Sequence, residues 1–510
     1  MPRRRLPLLL PMLVLAACGE DRSPTAPTPP AAPAAEALGA TAIRREVNSL
    51  ADPGDGVCDA RQCTLREAIA APGTTAIAFA PGLTGAITLA PRSAGGGPLS
   101  ITTSLTITGP TAGITVRRRS ADPAFRILRV GEGATVTLTH LAIRNGRADI
   151  QGAGIMNLGT LALVDCVVAG NATSSSGGGI ENKGALTLTR TTVSDNSAAL
   201  GGGGIDAVDG RLVATGSLIA RNSGGGIVNQ GGTLELTNTT VSDNAGRGIA
   251  ESRSTSTLTR VRITGNTGGG YALSQGRTTL TYGTIARNSA LEGAGIGNFR
   301  GGEIRIAKST VADNVATGRG GGILDLDDPN GRAGAGITLV NSTVTGNSAE
   351  SGGGILVRDR GSASLLVTNS TVAFNTARTD GGGILVDGVS DFTAVQLENA
   401  LVAGNSAPSG PDLLGSVGAR FSLIGNGTGG DVANTDGNQV GNVAPNTGPI
   451  DPRLGPLADN GGPTRTLALL AGSPAIDAAS ADGCPGRDQR DVTRPQGAAC
   501  DVGSYERASP

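Results

Sequence analysis

The sequence is poor in the side chains that most enzyme cores and metal sites use. Its 510 residues include no tryptophan, three tyrosines, six phenylalanines and one histidine. A conventional α/β enzyme core depends on large aromatic side chains, so this composition argues against that class. Zinc sites of the HExxH type and Ser-His-Asp triads need histidine in a defined motif. His140 lies in TLTHLAIR, which contains no such motif.

The sequence also lacks an excess of charge of one sign. The formal net charge is −1, and three of the arginines lie in the first five residues. Proteins that bind nucleic acids carry a basic excess that neutralises phosphates, so we expect no nucleic-acid partner. Glycine, in contrast, is abundant: its 82 residues are more than twice the usual share of about 7%. Glycine between short aliphatic segments favours a protein made of many short strands.

The N-terminus has the features of an export signal. Residues 1–17 are MPRRRLPLLLPMLVLAA, in which arginines precede an apolar run too short to span a membrane. The sequence LAAC at residues 15–18 resembles a bacterial lipobox. This implies an acylated Cys18 and an outer-membrane-anchored lipoprotein at the cell surface or the periplasmic face. Residues 18–41 are rich in proline and alanine and are expected to form a tether. If Cys18 is not lipidated, the same signal implies a secreted protein.

Five cysteines remain beyond the leader, and four of them form two local pairs. Cys58 and Cys63 are close together, and Cys484 and Cys500 bracket a turn-rich segment. In an exported protein both pairs are candidate disulfides that close short loops. Zinc is the alternative, although no histidine lies near either pair. Cys166 is left over, and its position in the repeat described next predicts a buried thiol.

From about residue 131 to residue 430 one phrase recurs, as in TTVSDN and STVADN. Its asparagine returns every 22 to 33 residues, about 26 on average, which is typical of a repeat architecture. Each repeat also contains a glycine run that closes on isoleucine and an alternating segment such as LTL. The asparagines are expected to form a side-chain ladder at a turn that needs left-handed backbone geometry. They are Asn171, Asn196, Asn222, Asn244, Asn266, Asn288, Asn314, Asn347, Asn375 and Asn405.

Three short strands in each repeat, with no helical crossover, predict an all-β fold. We expect a single right-handed parallel β-helix of about ten to thirteen rungs, with small N-terminal and C-terminal capping modules. Alternation along the third strand assigns a column of small residues to the interior, Cys166 among them. The position before that column is polar and is expected to face solvent. Its residues are His140, Asp165, Arg190, Gly216, Asn238, Arg260, Tyr282, Lys308, Asn341, Asn369 and Asn399.

Both ends of the chain resemble named modules. Residues 47–69, VNSLADPGDGVCDARQCTLREAI, resemble the CSLREA-type N-terminal module of bacterial surface β-helix proteins, with Thr64 where serine is usual. Residues 451–506 contain DPRLGPLADNGGPTRTLALLAGSPAIDAA, DQRDVTRP and CDVGSYE, and are similar to the choice-of-anchor Q module. The asparagine and GGGI phrases resemble polymorphic outer membrane protein repeats. These resemblances imply a cap with the first rungs over 42–130, repeats over 131–430 and a C-terminal module over 431–510.

Pectate-lyase-like enzymes share the β-helix fold, so clustered acidic residues are candidate catalytic groups. Such lyases need carboxylates for calcium and a basic residue that removes a proton. A solvated loop is the simpler interpretation of the acidic segment LDLDDPNG. The catalytic candidates in this segment and the next rungs are Asp325, Asp327, Arg358 and Asp387. The candidates for a structural calcium ion are Asp52, Asp55, Asp325 and Asp327.

Two functions remain after these exclusions. The first is a non-enzymatic, lipid-anchored surface β-solenoid with an adhesive or surface-layer role. The second is a calcium-dependent polysaccharide lyase or glycoside hydrolase. Aromatic side chains are common in sugar-binding sites, and their scarcity here favours the first function. The first function implies no cofactor, a monomer, membrane attachment through Cys18, and an extracellular protein or glycan partner that the sequence does not identify.

Overall fold

A coil of short parallel strands accounts for most of the chain. The computed structural model describes residues 43–326, 336–359, 365–388 and 395–508. From residue 43 onward the chain forms one unit. It makes about 13 complete turns, or rungs, of a right-handed parallel β-helix. The predicted fold class is therefore confirmed.

Each rung contributes three strands, and equivalent strands of successive rungs pair in parallel. The first and second strands build one large sheet, and the third strands build a second sheet. In two rungs the first and second strands are continuous, as Ile249–Thr259 and Tyr271–Thr281. The remaining first strands are Leu99–Ile101, Leu128–Val130, Ile155–Asn157, Ile180–Asn182, Ile205–Val208, Ile227–Gln230, Ile296–Phe299, Ile323–Leu326, Ile355–Asp359, Ile384–Gly388, Leu413–Ser416 and Gly430–Asp431. The remaining second strands are Ile43–Val47, Thr74–Phe79, Leu105–Thr108, Thr135–Thr139, Thr160–Val164, Ala185–Thr189, Arg211–Thr215, Thr233–Thr237, Glu303–Ala307, Gly336–Val340, Leu365–Thr368, Val395–Glu398 and Gly418–Arg420.

Most of the third strands are three residues long, and they carry the face on which the end of the chain packs. They are Gly85–Leu89, Ile114–Arg118, Leu141–Arg144, Val167–Ala169, Thr192–Ser194, Leu218–Ala220, Thr240–Ser242, Arg262–Thr264, Thr284–Ala286, Thr310–Ala312, Thr343–Thr345, Thr371–Ala373, Leu401–Ala403, Leu423–Ile424 and Gln439–Val440. Two small sheets follow the third strands: Arg147–Ala148, Ala172–Thr173 and Ser197–Ala198, then Ser289–Ala290, Val315–Ala316, Ser348–Ser351 and Thr376–Asp380. Beyond the coil, Leu454–Ala458 and Thr466–Leu469 form an antiparallel pair.

Helix is scarce in the part of the chain that the structure describes. It consists of one α-helix, Leu65–Ala70, and one 3₁₀-helix, Arg92–Ala94. Neither has the length and apolar content that a membrane-spanning helix needs.

Stacked aliphatic side chains fill the interior of the coil. Ile155, Ile180 and Ile205 lie side by side in register, and each is fully buried. Burying one such side chain contributes about 1.5–3 kcal/mol. Cys166 is a free thiol with 2% exposure in the interior column of small residues, as predicted. Repetition of small aliphatic layers thus replaces the bulky aromatic core that the composition excludes.

A continuous ladder of buried asparagines joins the rungs. Within it, the backbone N–H and the Nδ2 of Asn244 both donate to Oδ1 of Asn266, at 3.1 and 2.9 Å. The Nδ2 of Asn244 also donates to the carbonyl of Ile219, in the preceding rung, at 3.2 Å. The same donor pattern runs from Asn171 to Asn405. Each amide is therefore bonded to the rung on either side.

The glycine before each isoleucine and the asparagine ladder depend on one another. A Cβ on Gly179 would lie 2.5 Å from the carbonyl oxygen of Gly204 and 2.9 Å from Nδ2 of Asn196. Glycine is required there because there is no room for a Cβ, rather than because the residue has a positive φ. The left-handed residue of the ladder turn is the one before the asparagine: Asp195, for instance, has a φ of 57°. The sequence predicts this turn but does not show which of its residues has the left-handed backbone conformation.

The helix Leu65–Ala70 closes the N-terminal end of the coil. Its N-cap is Thr64, whose hydroxyl accepts the N–H of Glu67, while the Glu67 carboxylate accepts the N–H of Thr64. This reciprocal capping box lets threonine serve where the resemblance suggested serine. Leu65 and Ala68 pack into the interior cluster. The predicted disulfide between Cys58 and Cys63 is present immediately before the helix.

Residues 451–508, called here the C-terminal segment, lie along the outer face of the third strands. Gln489 is fully buried at this contact. Its Oε1 accepts a hydrogen bond from Thr343 at 2.7 Å, and its Nε2 donates to Thr310 at 3.0 Å. The predicted disulfide between Cys484 and Cys500 lies within the segment. The end of the chain is therefore held to rungs far back in the sequence by buried polar contacts.

This docking corrects one expectation about the polar column. Arg190 and Asn238 are exposed, as predicted, but Asn341, Asn369 and Asn399 are at most 2% exposed. The C-terminal segment covers the rungs that carry them. Asn399 accepts the N–H of Ser480 at 2.8 Å, and Asn341 donates to the carbonyl of residue 487 at 2.9 Å.

Replacing one ladder asparagine should destabilise the coil. In an Asn266→Ala variant, two buried donors of Asn244 lose their acceptor, so we expect the free energy of unfolding to fall by about 2–5 kcal/mol. Thr257→Ala, at an exposed strand position, is the matched control and should change it by less than about 0.5 kcal/mol. Urea denaturation followed by circular dichroism measures both. Equal effects of the two substitutions would contradict a stabilising role for the ladder.

Candidate functional site

Asp325 points to the opposite side of its strand from the other predicted catalytic residues that the structure describes. Asp325 lies on Ile323–Leu326, where alternation directs it into the coil, and it is 2% exposed. Its Oδ1 accepts a hydrogen bond from Nδ2 of Asn298, in the preceding rung, at 2.8 Å. This position corrects the expectation that Asp325 lines a surface groove or binds calcium there. A residue inside the coil does not meet a polymer outside it.

Arg358 and Asp387 are brought together as an ion pair. They lie opposite one another on adjacent first strands. Nε and Nη2 of Arg358 donate to Oδ2 of Asp387 at 3.0 and 2.8 Å. Asp327 lies outside the described residues. Of the candidates that the structure describes, Arg358 and Asp387 thus form a surface ion pair and Asp325 faces the interior, so they do not line one groove.

The N-terminal calcium candidates are engaged with protein groups. Asp52 accepts Nε and Nη2 of Arg66 at 2.7 and 3.0 Å, together with the N–H of Ala90 at 2.8 Å. Asp55 accepts the N–H of Val57 at 2.9 Å, which is an Asx turn. Within residues 43–326, 336–359, 365–388 and 395–508, no group of three or more His, Cys, Asp or Glu side chains is placed to hold a metal ion.

Charged side chains on the outer surface pair from one rung to the next. Hydrogen bonds from Arg190 lower the pKa of the Asp165 carboxyl, which also lies 3.9 Å from Nε2 of His140. His140 is half-buried, with 29% of its side chain exposed. Ion pairs as exposed as that of Arg190 and Asp165 are screened by solvent and contribute little to stability. Further pairs of this kind are Arg221–Asp195 at 2.8 Å, Arg211–Glu235 at 2.9 Å, Arg277–Glu303 at 2.7 Å and Arg420–Glu398 at 2.6 Å.

Sequence reasoning missed a buried pair of carboxyl groups on two adjacent first strands. Glu181 and Asp206 are opposite one another in register and are 0% and 4% exposed. Burial, reinforced by the charge of Asp206, raises the pKa of Glu181 to about 7, and burial also raises the pKa of Asp206. Ser176 donates to Oε2 of Glu181 at 3.2 Å, and Nζ of Lys183 lies 3.8 Å from Oε1. The signal is an acidic residue immediately after the glycine-isoleucine phrase, in GGGIEN and GGGGIDA.

This pair can hold a proton near neutral pH, but it is not open to a solute. Glu181 Oε1 and Asp206 Oδ1 are buried atoms. Burial is the main physical reason for the raised pKa values, and for Glu181 the like charge of Asp206 one strand spacing away adds to it. The pair therefore makes the stability of the coil depend on pH, and it is not placed to act on a polysaccharide.

The asparagine ladder ends on Asp412, which replaces the glycine that precedes the first strand in earlier rungs. Oδ1 of Asp412 accepts the N–H and the Nδ2 of Asn405, both at 2.8 Å, and Oδ2 accepts the N–H of Asn426 at 2.7 Å. Burial nevertheless raises the pKa of Asp412 to about 6. The residue lines a surface cavity of about 640 Å³, beside Phe374 and Arg453. Because both oxygens are bonded to protein donors, Asp412 serves as the terminus of the ladder.

Comparison with known proteins supports the fold and does not identify an activity. A family model described as a right handed beta helix region matches residues 213–377. A search of curated proteins finds no match. Among solved structures, the chain is similar to one described as the crystal structure of pectate lyase Pel9A, at 14% identity and a TM-score of 0.34. That alignment covers 92% of this chain and 98% of the other, but a likeness this distant carries no argument about function.

The buried carboxyl pair predicts a pH dependence of stability. A carboxyl whose pKa is raised by folding stabilises the protein fully below its unfolded pKa, and that contribution is lost as pH rises through the folded value. For Glu181 the loss falls between about pH 4.5 and pH 7, and it amounts to about 3 kcal/mol. In a Glu181→Gln variant this part of the decline should disappear.

Denaturation curves at a series of pH values would measure the effect as the difference between wild type and variant. Glu132→Gln, at an exposed glutamate, is the matched control and should leave the wild-type profile unchanged. If Glu181→Gln also leaves the profile unchanged, the pair does not titrate in this range.

Proposed function

We propose that this protein is a non-enzymatic β-solenoid exposed outside the cell, lipid-anchored and adhesive or part of a surface layer. The observation that carries the proposal is that the polar side chains bond to one another between rungs. Asparagines bond from rung to rung inside the turn, and arginines pair with carboxylates from rung to rung outside it. A scaffold that resists bending and presents a long surface needs such contacts, whereas a catalytic groove needs polar groups that converge on a substrate.

The two ends of the chain support a surface role through their resemblances. The CSLREA-like region supplies the capping helix and the Cys58–Cys63 disulfide. In the region similar to choice-of-anchor Q, the DQR and DVTRP sequences form buried ion pairs: Arg490 with Asp488 at 2.7 Å, and Arg494 with Glu506 at 3.4 Å. The motif residues of that region therefore have structural roles here. Two disulfides fit folding in an oxidising compartment outside the cytosol.

The lipid anchor and the tether lie outside the described residues and rest on the sequence. Acylation of Cys18 would attach the protein to the outer membrane, and residues 18–41 would hold the coil away from the bilayer. We propose a monomer, because the ladder and the C-terminal segment satisfy their contacts within one chain. Similarity of the repeats to polymorphic outer membrane proteins is consistent with this location.

A turnover assay tests the non-enzymatic part of the proposal. The full-length chain would be incubated with uronate-containing polysaccharides and calcium, and unsaturated products would be followed by their absorbance. We expect no product above a boiled-protein control. Turnover that is lost in Asp327→Ala and kept in Asp55→Ala would overturn the proposal in favour of a calcium-dependent polysaccharide lyase.

Anchoring is tested separately through Cys18. In the native host, wild-type protein should incorporate a labelled fatty acid and sediment with the outer membrane. A Cys18→Ser variant should incorporate no label and appear in the soluble fraction, because a lipid-modified N-terminus needs the cysteine sulfur. Cys166→Ser, at the buried free thiol, is the matched control and should behave like wild type. Unlabelled wild-type protein would show that the leader is an ordinary secretory signal.

A further inference from the structure

A cleft opens where the C-terminal segment first meets the third strands. Thr464 donates to the carbonyl of Lys308 at 3.0 Å, and Thr310 donates to the carbonyl of Arg465 at 2.7 Å. These bonds hold the loop of residues 457–465 against the coil. Between this loop and the coil lies a cavity of about 340 Å³. We call it the arginine cleft, after the three guanidinium groups that line it: Arg262, Arg287 and Arg465.

The three arginines of the cleft lack the rung-to-rung carboxylate partners that Arg190, Arg211 and Arg221 have. Each is exposed, and none has a side-chain hydrogen bond or an ion pair within the described ranges. Arg221, at the equivalent turn position three rungs before Arg287, pairs with Asp195 of the rung before it. The residue one rung before Arg287 is Gly265, which offers no carboxylate. The cleft thus brings together three guanidinium groups that have no ion-pair partner among the described residues.

The cleft also contains hydrogen-bond acceptors. Asp313 and Asp459 line it beside the three arginines, so its formal charges sum to one net positive. Guanidinium groups bind carboxylates and sulfates through paired, charge-assisted hydrogen bonds, while carboxylates accept from hydroxyl groups. An acidic sugar presents both kinds of group within one ring. A free phosphate presents no ring hydroxyls that could donate to the two carboxylates.

A second cavity continues the cleft along the coil. It has a volume of about 470 Å³ and shares Arg262, Thr284 and Pro463 with the first. From there it extends to Arg260 and Tyr282 in neighbouring positions. Two joined cavities of this size accommodate a chain of sugars better than a single small anion.

We propose that the arginine cleft binds an acidic polysaccharide, with its carboxylate or sulfate groups on Arg262, Arg287 and Arg465. Ring hydroxyls of the same chain donate to Asp313 and Asp459. The inference rests on the proposed adhesive role and deepens it by naming the class of ligand. It also assigns the C-terminal segment a second task, because the loop of residues 457–465 builds one wall of the site.

Calorimetric titration of the full-length chain tests this site. The probes are a carboxylated oligogalacturonate, a sulfated heparin oligosaccharide and a neutral maltooligosaccharide of equal length. The cleft variant combines Arg262→Gln, Arg287→Gln and Arg465→Gln. The matched control combines Arg144→Gln, Arg147→Gln and Arg305→Gln, three exposed arginines outside both cavities. Both variants lose the same charge, and their melting temperatures should equal that of wild type.

We expect at least one acidic probe to bind and the neutral probe not to bind. The cleft variant should bind the acidic probe at least about tenfold more weakly, because it loses the charged hydrogen bonds of three guanidinium groups. The control should remain within about twofold of wild type. Equal weakening of the two variants, equal binding of the neutral probe, or no binding of either acidic probe would overturn the inference.

The result of the binding titration can be interpreted independently of the result of the turnover assay. Binding accompanied by product release would overturn the non-enzymatic role and leave the ligand class standing. Absence of binding, with no turnover, would overturn the cleft and leave the non-enzymatic scaffold in place. Comparison of the two acidic probes then shows whether the cleft prefers a carboxylated or a sulfated polysaccharide.

Discussion

The close approach of glycine and asparagine at one turn is the constraint on which the rest of the coil depends. Asn196 fits beneath the backbone of Gly179 only because glycine has no Cβ there. In that position the amide bonds to the rungs before and after it and is shielded from water. A buried amide without hydrogen-bond partners would destabilise the coil by more than the ladder stabilises it. The column of asparagines must therefore be continuous, or end on a residue that supplies the missing hydrogen-bond partners.

Asp412 and the C-terminal segment complete that arrangement at the far end. Asp412 provides acceptor atoms for the last asparagine. It stands at the position that glycine occupies in earlier rungs. The C-terminal segment then folds back over the third strands and covers polar residues that earlier rungs leave in water. Its edge creates the arginine cleft. Stability and the candidate binding surface thus come from the same return of the chain.

Structural features that repeat in every rung are predictable from the sequence, whereas features that occur only once are not. The asparagine period and the glycine-isoleucine phrases were sufficient for the fold, the strand number and the interior position of Cys166, because every rung repeats the same geometry. The interior position of Asp325 is not predictable in this way, since a one-residue difference in alternation decides between the two sides of a strand. The contact between Tyr282 and Asp491 joins residues 209 positions apart. No local pattern encodes such a distance.

The ladder also has an electrical consequence. Its side-chain amides all have the same orientation: each Nδ2 directs one N–H toward the asparagine of the C-terminal rung, and each C=O points toward the N-terminal rung. Aligned amide dipoles add, as they do along a helix, and leave a positive end where the N–H groups emerge. The carboxylate of Asp412 lies at that end. The coil therefore contains a side-chain dipole that spans its repeats and is neutralised where it stops.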